Sequence, residues 1–455
     1  MPTRRGFRSV AVTALSALAA LGAACAQTQA AEGIEKIDHI LVIYMENRSF
    51  DNLYGLFPGA NGLAQAGEMA TQVDKDGKPY QTLPAVIDTT KKPPAADERF
   101  PMNMENKPFD IGKYVSLDEK TGDLVHRFYQ EQLQIDGGKM DKFAAYSDAA
   151  GLVMGYYDAS KTELWGYAQK YTLADNFFHG AFGGSFLNHI YLVCACAPKY
   201  PDAPKDMVAQ LDDKGMLAKD GAITPDGYAV NTIQTSYQPH SAKITDPAKL
   251  LPPQEGVTIG DRLTEKGVSW VWYSGGWDDA IAGKPDALFQ FHHQPFAYFK
   301  QFGDGTDARK EHLKDEKEML AGIAAGELPA VAFWKPIGEE NEHPGYANVS
   351  SGDQKVASVL KSLEGSKLWA STAVIITYDE NGGSWDHVAP PKIDAWGPGT
   401  RVPALIISPF AKKGFVDHTQ YDTSSILKLI EKRYGLQPLG TRDASANDMT
   451  NAFEF

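Results

Sequence analysis

Apolar runs of strand length recur along the chain and alternate with stretches of helical period. HILVIY, VSWVWY, PAVAFW, TAVIITY and VPALIIS are short, continuous and rich in β-branched and aromatic residues, which predicts strands buried on both faces. Between and after them, Val356, Val359, Leu360 and Leu363, and then Ile426, Leu427 and Ile430, recur at three- and four-residue spacing, which predicts helices with one apolar face. Strands alternating with helices imply an α/β fold, a mostly parallel sheet covered by helices on both faces. Residues 186–195 predict one more buried helix, with Ser185 at its N-cap after Gly183 and Gly184.

Two stretches break this pattern. Around residues 61–151 and again around 199–254 the strand signal fades while Pro, Lys, Asp and Gly become frequent. These are expected to be irregular insertions over the ligand crevice, where substrate preference resides. No linker or internal repeat divides the chain, so residues 27–455 are expected to form one domain.

Two strand ends carry the chemistry. HILVIY runs into MENRSFD, placing Glu46, Asn47 and Asp51 just past a strand, and TAVIITY runs into DENGGSWDH, placing Asp379, Glu380 and His387 just past another. Groups at the carboxyl ends of strands converge on the crevice of an open α/β sheet. Two such loops predict one oxygen-rich site suited to a hard divalent cation. Each residue alone has an ordinary structural use: Asn47 or Ser49 can start a helix, Asp379 can close an Asx-turn, and Ser185 can simply cap. Their combination points to a site. Ser185 at a helix N-terminus also meets unpaired N–H groups, which favour an anion or a developing alkoxide. His126, the His292–His293 pair and His343 lie in polar, turn-rich surroundings.

The N-terminus sets the compartment. Arg4 and Arg5, a small apolar run over residues 10–24 and small residues at Ala24, Cys25 and Ala26 predict a twin-arginine signal peptide over residues 1–26, hence a periplasmic or secreted protein. No later stretch has the roughly 20 continuous apolar residues of a membrane span. The formal charge of the 455-residue chain is -14, and losing Arg4, Arg5 and Arg8 with the leader makes it -17. Such a field excludes nucleic acid as a partner and requires any anionic substrate to be held by local groups or a metal. Cys194 and Cys196 are expected to be packing residues, because two positions apart on a helix point away from each other.

MENRSFDNLYGLFPGANG, HRFYQEQLQIDGGKMDKF, HGAFGGSFLNH, FHHQPFAYF, NEHPG, YDENGGSWDHVAPP and RVPALIISPFAKKGFVDHTQYDTSSILKLIEKRYG together resemble the bacterial phosphoesterase family of acid phosphatases and phosphatidylcholine-type phospholipases C. The resemblance spans essentially the whole mature chain, in order. It implies an alkaline phosphatase-like α/β/α sandwich. It also implies one divalent metal, Ca²⁺, Mg²⁺ or Mn²⁺, held by Glu46, Asn47, Ser185, Asp379 and Glu380. Ser185 would double as the nucleophile. His126, His293 and His343 would surround the phosphoryl oxygens, with His292 and Asn188 as further candidates. FDNLYGLFPGANG is closer to the acid phosphatase branch, which implies a small phosphate monoester as substrate.

Protonated histidines at such a site predict an acidic optimum, since free His titrates near pH 6.5. Two rival readings remain. A phospholipase C-type diesterase would need an acyl groove and aromatic residues for a choline head group, for which Trp270, Trp272, Tyr273 and Trp277 are candidates, although their alternation assigns them to a buried strand. A non-catalytic, metal-stabilised binding protein would have no use for Ser185 or for so many histidines.

Overall fold

The computed structural model describes residue 1 and residues 33–455. The predicted leader, with Arg4, Arg5 and Cys25, lies outside the described residues. The core is an eight-stranded sheet built, in chain order, from β1 (His39–Met45), β2 (Thr172–Ala174), β3 (Trp270–Ser274), β4 (Leu313–Asp315), β5 (Val331–Lys335), β6 (Thr372–Tyr378), β7 (Ala404–Ile407) and β8 (Phe415–Asp417). Their spatial order is β4-β3-β5-β1-β6-β7-β2-β8. β1 sits near the middle, in parallel register with β5 through Ile40↔Val331 and with β6 through Leu41↔Val374. Ile40, Leu41, Val42 and Ile43 are all fully buried, as a strand covered on both faces requires.

All five expected strands are present, and the sheet is mostly parallel. One of them, β7, runs antiparallel to both β6 and β2. No crossover helix separates β6 from β7. The chain passes from one to the other through the DENGGSWDH loop, and a return without a crossover reverses direction. β2, β4 and β8 have three residues each, too short to carry a period of their own.

Five helices matter for the site: α1 (Phe128–Ile135), α2 (Ser185–Cys194), α3 (Val349–Glu364), α4 (Thr423–Tyr434) and α5 (Thr441–Ser445). The periodic apolar residues of α3 and α4 are buried, as their spacing predicts. Asn348 caps α3 by accepting from Ser351 N at 2.8 Å, and Asp422 caps α4 by accepting from Ser424 N at 2.7 Å. α2 and α4 pack against each other, and α3 packs with two further helices, Glu163–Lys170 and Glu316–Ala325. Among the described residues, no helix is long and apolar enough to cross a membrane.

Two expectations require correction. Ser185 is not the N-cap of α2: Gly184 occupies that position in extended conformation, and Ser185 is the first helical residue. Cys194 and Cys196 are not separate packing residues but form a disulfide. The helix stops at Cys194, and Ala195 adopts a left-handed conformation at φ 48°. That residue turns the chain back and brings the two Cα atoms to 5.1 Å. The divergence of helical positions two apart no longer applies beyond the last turn.

α4 also buries Glu431 against Asp443 of α5. Burial, then a hydrogen bond to Asp443, pushes the Glu431 carboxyl up to about 8. The folded state therefore holds this proton more tightly than the unfolded chain, whose Glu titrates near 4.3. The stability it contributes is complete below that unfolded value and is lost as pH rises through about 8. Glu431→Gln should flatten this dependence. Melting temperatures of the two proteins compared at about pH 5 and pH 8 check it, and parallel curves would rule out the held proton.

Candidate active site

β1 and β6 are neighbours, so the loops that follow them leave the sheet side by side. Asp379 N donates to Met45 O at 3.1 Å, and Asn47 N donates to the Asp379 carboxylate at 3.3 Å, tying the two strand ends together. Asn47 takes a left-handed φ of 62°, which Asn tolerates better than most residues, and its side chain faces Ser185. Ser185 Oγ lies 3.2 Å from Asn47 Oδ1 and 3.5 Å from Glu380 Oε1. Glu46, Asn47, Ser185, Asp379 and Glu380, predicted from positions up to 334 apart in the chain (380 − 46), thus meet in one buried cluster.

Glu46 and Ser185 of this cluster line the floor of an open pocket of about 550 Å³. His126 and His343 stand over it, with ring centres 5.5 Å apart. His126 Nε2 lies 3.4 Å from Asn47 Nδ2 and 3.9 Å from Glu380, and His343 Nε2 lies 3.8 Å from Glu46. In both rings Nδ1 is 2.5 Å from a backbone carbonyl, of Leu124 and Pro344 respectively. Each Nδ1 is therefore the donor, and each Nε2 is left for the site.

The sequence profile of the Phosphoesterase family matches residues 37–437. The chain belongs to that family. Phospholipase C A of Mycobacterium tuberculosis is 25% identical over 92% of this chain and 77% of its own length. The non-hemolytic phospholipase C of Pseudomonas aeruginosa is 22% identical over 93% of this chain and 58% of its own length. Among solved structures, an alkaline phosphatase superfamily protein from Vibrio parahaemolyticus aligns over 65% of each chain at 13% identity, with a TM-score of 0.36. The chain is accordingly a phosphoric ester hydrolase.

The donor set of this phosphoesterase suits a cation. Asp379 Oδ2 and His189 Nε2 are buried with no hydrogen-bond partner, and one ligand atom each from Glu46, His189 and His293 lie within 4.8 Å of one another. Orphaned buried polar atoms are costly unless something pairs them. Burial, then Asp379, pushes the Glu380 carboxyl well up, and Asp379 itself rises to about 6 with burial as the leading cause. Burial also acts to raise Glu46, but His293 and Lys335 outweigh it and hold that carboxyl well below its ordinary value. A divalent cation among these groups would supply the missing positive charge.

The other predicted residues are distributed unequally. The His293 ring is turned to the Glu46 carboxylate, with which its Nε2 is in direct contact. His292 packs edge-on to it, with ring centres 4.9 Å apart, and also lines the pocket. Asn188 faces away from the pocket. Its amide accepts from Ala181 N at 2.9 Å and donates to the carbonyls of Ala181 and Gly183, so it shapes the loop before Ser185. Asp51 and His387 pair with each other at 2.6 Å, and Arg401 joins Asp51 to Asp386. This group links the two ligand loops without reaching the cluster. Ser49, as expected of a helix start, caps Phe50–Tyr54.

Four residues at or around the cluster were not anticipated. Lys335 Nζ, fully buried at the end of β5, lies 2.9 Å from Glu46 and 3.7 Å from Asp379. Its place at the carboxyl end of a strand was a usable signal. His189 accompanies Ser185 one helical turn on, with Nδ1 2.8 Å from Ser185 O and 3.5 Å from Asp379. Glu131 of α1 accepts from Gly183 N at 2.5 Å and pairs with His179 at 2.9 Å, both fully buried. No feature of spacing marks that pair. Gly183, at φ +87°, approaches α1 so closely that a Cβ would fall 2.4 Å from Phe128 N, which leaves room only for glycine.

Lys335→Met should destabilise the chelator-treated protein by about 3–5 kcal/mol, the usual cost of stripping one partner from a buried ion cluster. Urea unfolding in EDTA measures it. A loss below about 1 kcal/mol would mean the carboxylates are neutralised by protonation rather than by the lysine.

Proposed function

We propose that this phosphoesterase hydrolyses phosphate monoesters, with Ser185 as nucleophile. The observation that carries the reading is the buried Ser185 hydroxyl, held against Asn47 and Glu380 on the floor of a polar pocket that opens to solvent. Glu46, Asn47, Asp379 and Glu380, with Ser185 itself, would hold one divalent metal ion, and His189 and His293 are within reach of the same place. The metal would supply alkoxide stabilisation at Ser185 and charge neutralisation on the phosphoryl oxygens.

The chain's own groups account for the other steps. Ser185 Oγ bonds to phosphorus as the ester P–O bond breaks, giving a phosphoserine, and water then cleaves that P–O bond to release phosphate and restore the hydroxyl. His126 and His343 orient the phosphoryl group through Nε2 and, when protonated there, deliver a proton to the departing alcohol oxygen. Asn188 and Glu131 hold the loop that aims Ser185. The twin-arginine leader belongs to the same reading and makes the enzyme an exported one.

The pocket favours monoesters over a lipid. Trp270, Trp272 and Trp277 are buried, with Trp272 stacked on Phe333 at 5.3 Å, so none is free to receive a choline head group. The second reading, a phosphodiesterase acting on phosphatidylcholine, is favoured by the phospholipase C names of relatives that align with 92–93% of this chain. It stays open on that account.

Burial depresses the proton affinity of His292, His293 and His343, so their cationic forms are populated only below the ordinary His value. The acid limb should therefore rise as pH falls below about 6.5, lower than unperturbed histidines would place it. Hydrolysis of p-nitrophenyl phosphate, scanned from about pH 4 to 9, tests this, and a profile still climbing above about pH 8 contradicts it. Ser185→Ala should lower turnover by at least about 10³-fold, as removal of a nucleophile does. EDTA treatment should also abolish turnover, with recovery on adding a divalent ion. Cleavage of phosphatidylcholine with no monoester turnover would instead select the second reading.

A further inference from the structure

The alcohol portion of a bound ester must sit outside Ser185, against walls supplied largely by residues 61–151 and 199–254, with Gln290, His292, His343 and Tyr346. Those walls are braced against each other. Arg127 pairs with Asp220, and Asn231 accepts from Phe128 N at 3.0 Å while donating to Gly221 O at 2.7 Å. Arg127 and Asn231 are thereby largely committed within the protein. What remains on the wall is rich in acceptors. Asp148 uses one carboxylate oxygen on Val125 N at 2.8 Å, and Asp123 uses one on Leu124 N at 2.9 Å. In each, the second oxygen makes no hydrogen bond among the described residues, and the backbone bond to the first restrains the carboxylate. Thr232 adds an exposed hydroxyl.

Aromatic rings are scarce by comparison. Tyr346 is the one tyrosine, phenylalanine or tryptophan on the pocket wall; its ring is stacked on His343 at 4.2 Å and its hydroxyl donates to Glu46 at 3.0 Å. A nucleobase or phenyl ring therefore finds no free face. A carboxylate accepts hydrogen bonds and donates none, so this wall suits an alcohol that presents several hydroxyl donors.

We infer that the preferred substrate is the phosphate monoester of a polyhydroxylated alcohol, of the glycerol phosphate or sugar phosphate class, with Asp123 and Asp148 accepting hydroxyls of the leaving alcohol. This rests on the monoesterase reading above. A cationic alcohol would be drawn to the same carboxylates, but Lys92 on this wall offsets one of the charges. Choline, moreover, has no donor for the free oxygens.

The test measures phosphate release by the metal-loaded protein from sn-glycerol 3-phosphate, a hexose 6-phosphate, choline phosphate and phenyl phosphate. The polyol esters should exceed choline phosphate and phenyl phosphate in kcat/KM by about tenfold or more, even though phenol is the better leaving group, because each charge-assisted hydrogen bond is worth about that factor. Asp148→Ala should lower the polyol-to-phenyl ratio about tenfold, and Asp148→Asn, which retains an acceptor, should restore part of it. If choline phosphate or phenyl phosphate leads, or if Asp148→Ala depresses all four esters equally, the polyol assignment is wrong while the monoesterase reading stands. Release of phosphate from none of the four removes both.

Discussion

Three carboxylates, Glu46, Asp379 and Glu380, are packed together out of water at the ends of two adjacent parallel strands. Like charges so close and so dry repel strongly, and the fold answers with Lys335 between two of them and with His189 and His293 alongside. The remaining imbalance would suit the place to a cation. It also explains why groups from five separate chain segments must be brought together. Any loosening would admit water and leave the carboxylates free to separate.

Two buried networks supply that precision. The Asp51–His387 pair, with Arg401 and Asp386, joins the loop after β1 to the loop after β6. The Glu131–His179 pair anchors the glycine loop that carries Ser185, and Asn188 fastens the loop from within α2. Neither network touches the pocket floor. Each spends charged or polar side chains in the interior to hold backbone in place, which is consistent with chemistry that depends on positioning and electrostatics. Ser185 thereby stands at the start of a helix, while much of the pocket wall is irregular.

The kinship with phospholipases C and the polar pocket fit one scheme. The floor, built from strand ends, is set by the demands of phosphoryl transfer and would serve monoester or diester alike. Much of the wall comes from the two irregular stretches, which lie outside the sheet. Here those walls carry aspartates and a threonine, whereas Trp270 and Trp272 are consumed by packing within β3.

Strand and helix placement was legible from hydrophobic period, because burial on one or two faces imposes that period directly; β1, β5, β6, α3 and α4 follow it. The ligand loops were legible because carboxyl ends of strands in such a sheet point to one crevice. Three kinds of feature were not. The reversal of β7 and the Cys194–Cys196 disulfide depend on where a chain turns, which a left-handed residue such as Ala195 or an absent crossover decides. Lys335, His189 and Glu131 owe their roles to neighbours brought from distant parts of the sequence. The depressed histidines and the raised Asp379 follow from desolvation, which exists only once the chain has closed over them. The sequence by itself determined which residues could do the chemistry and on which strand ends they stand. Only the tertiary structure decided which of them meet, which brace the others and what charge they carry, because distance and burial are properties of the folded chain.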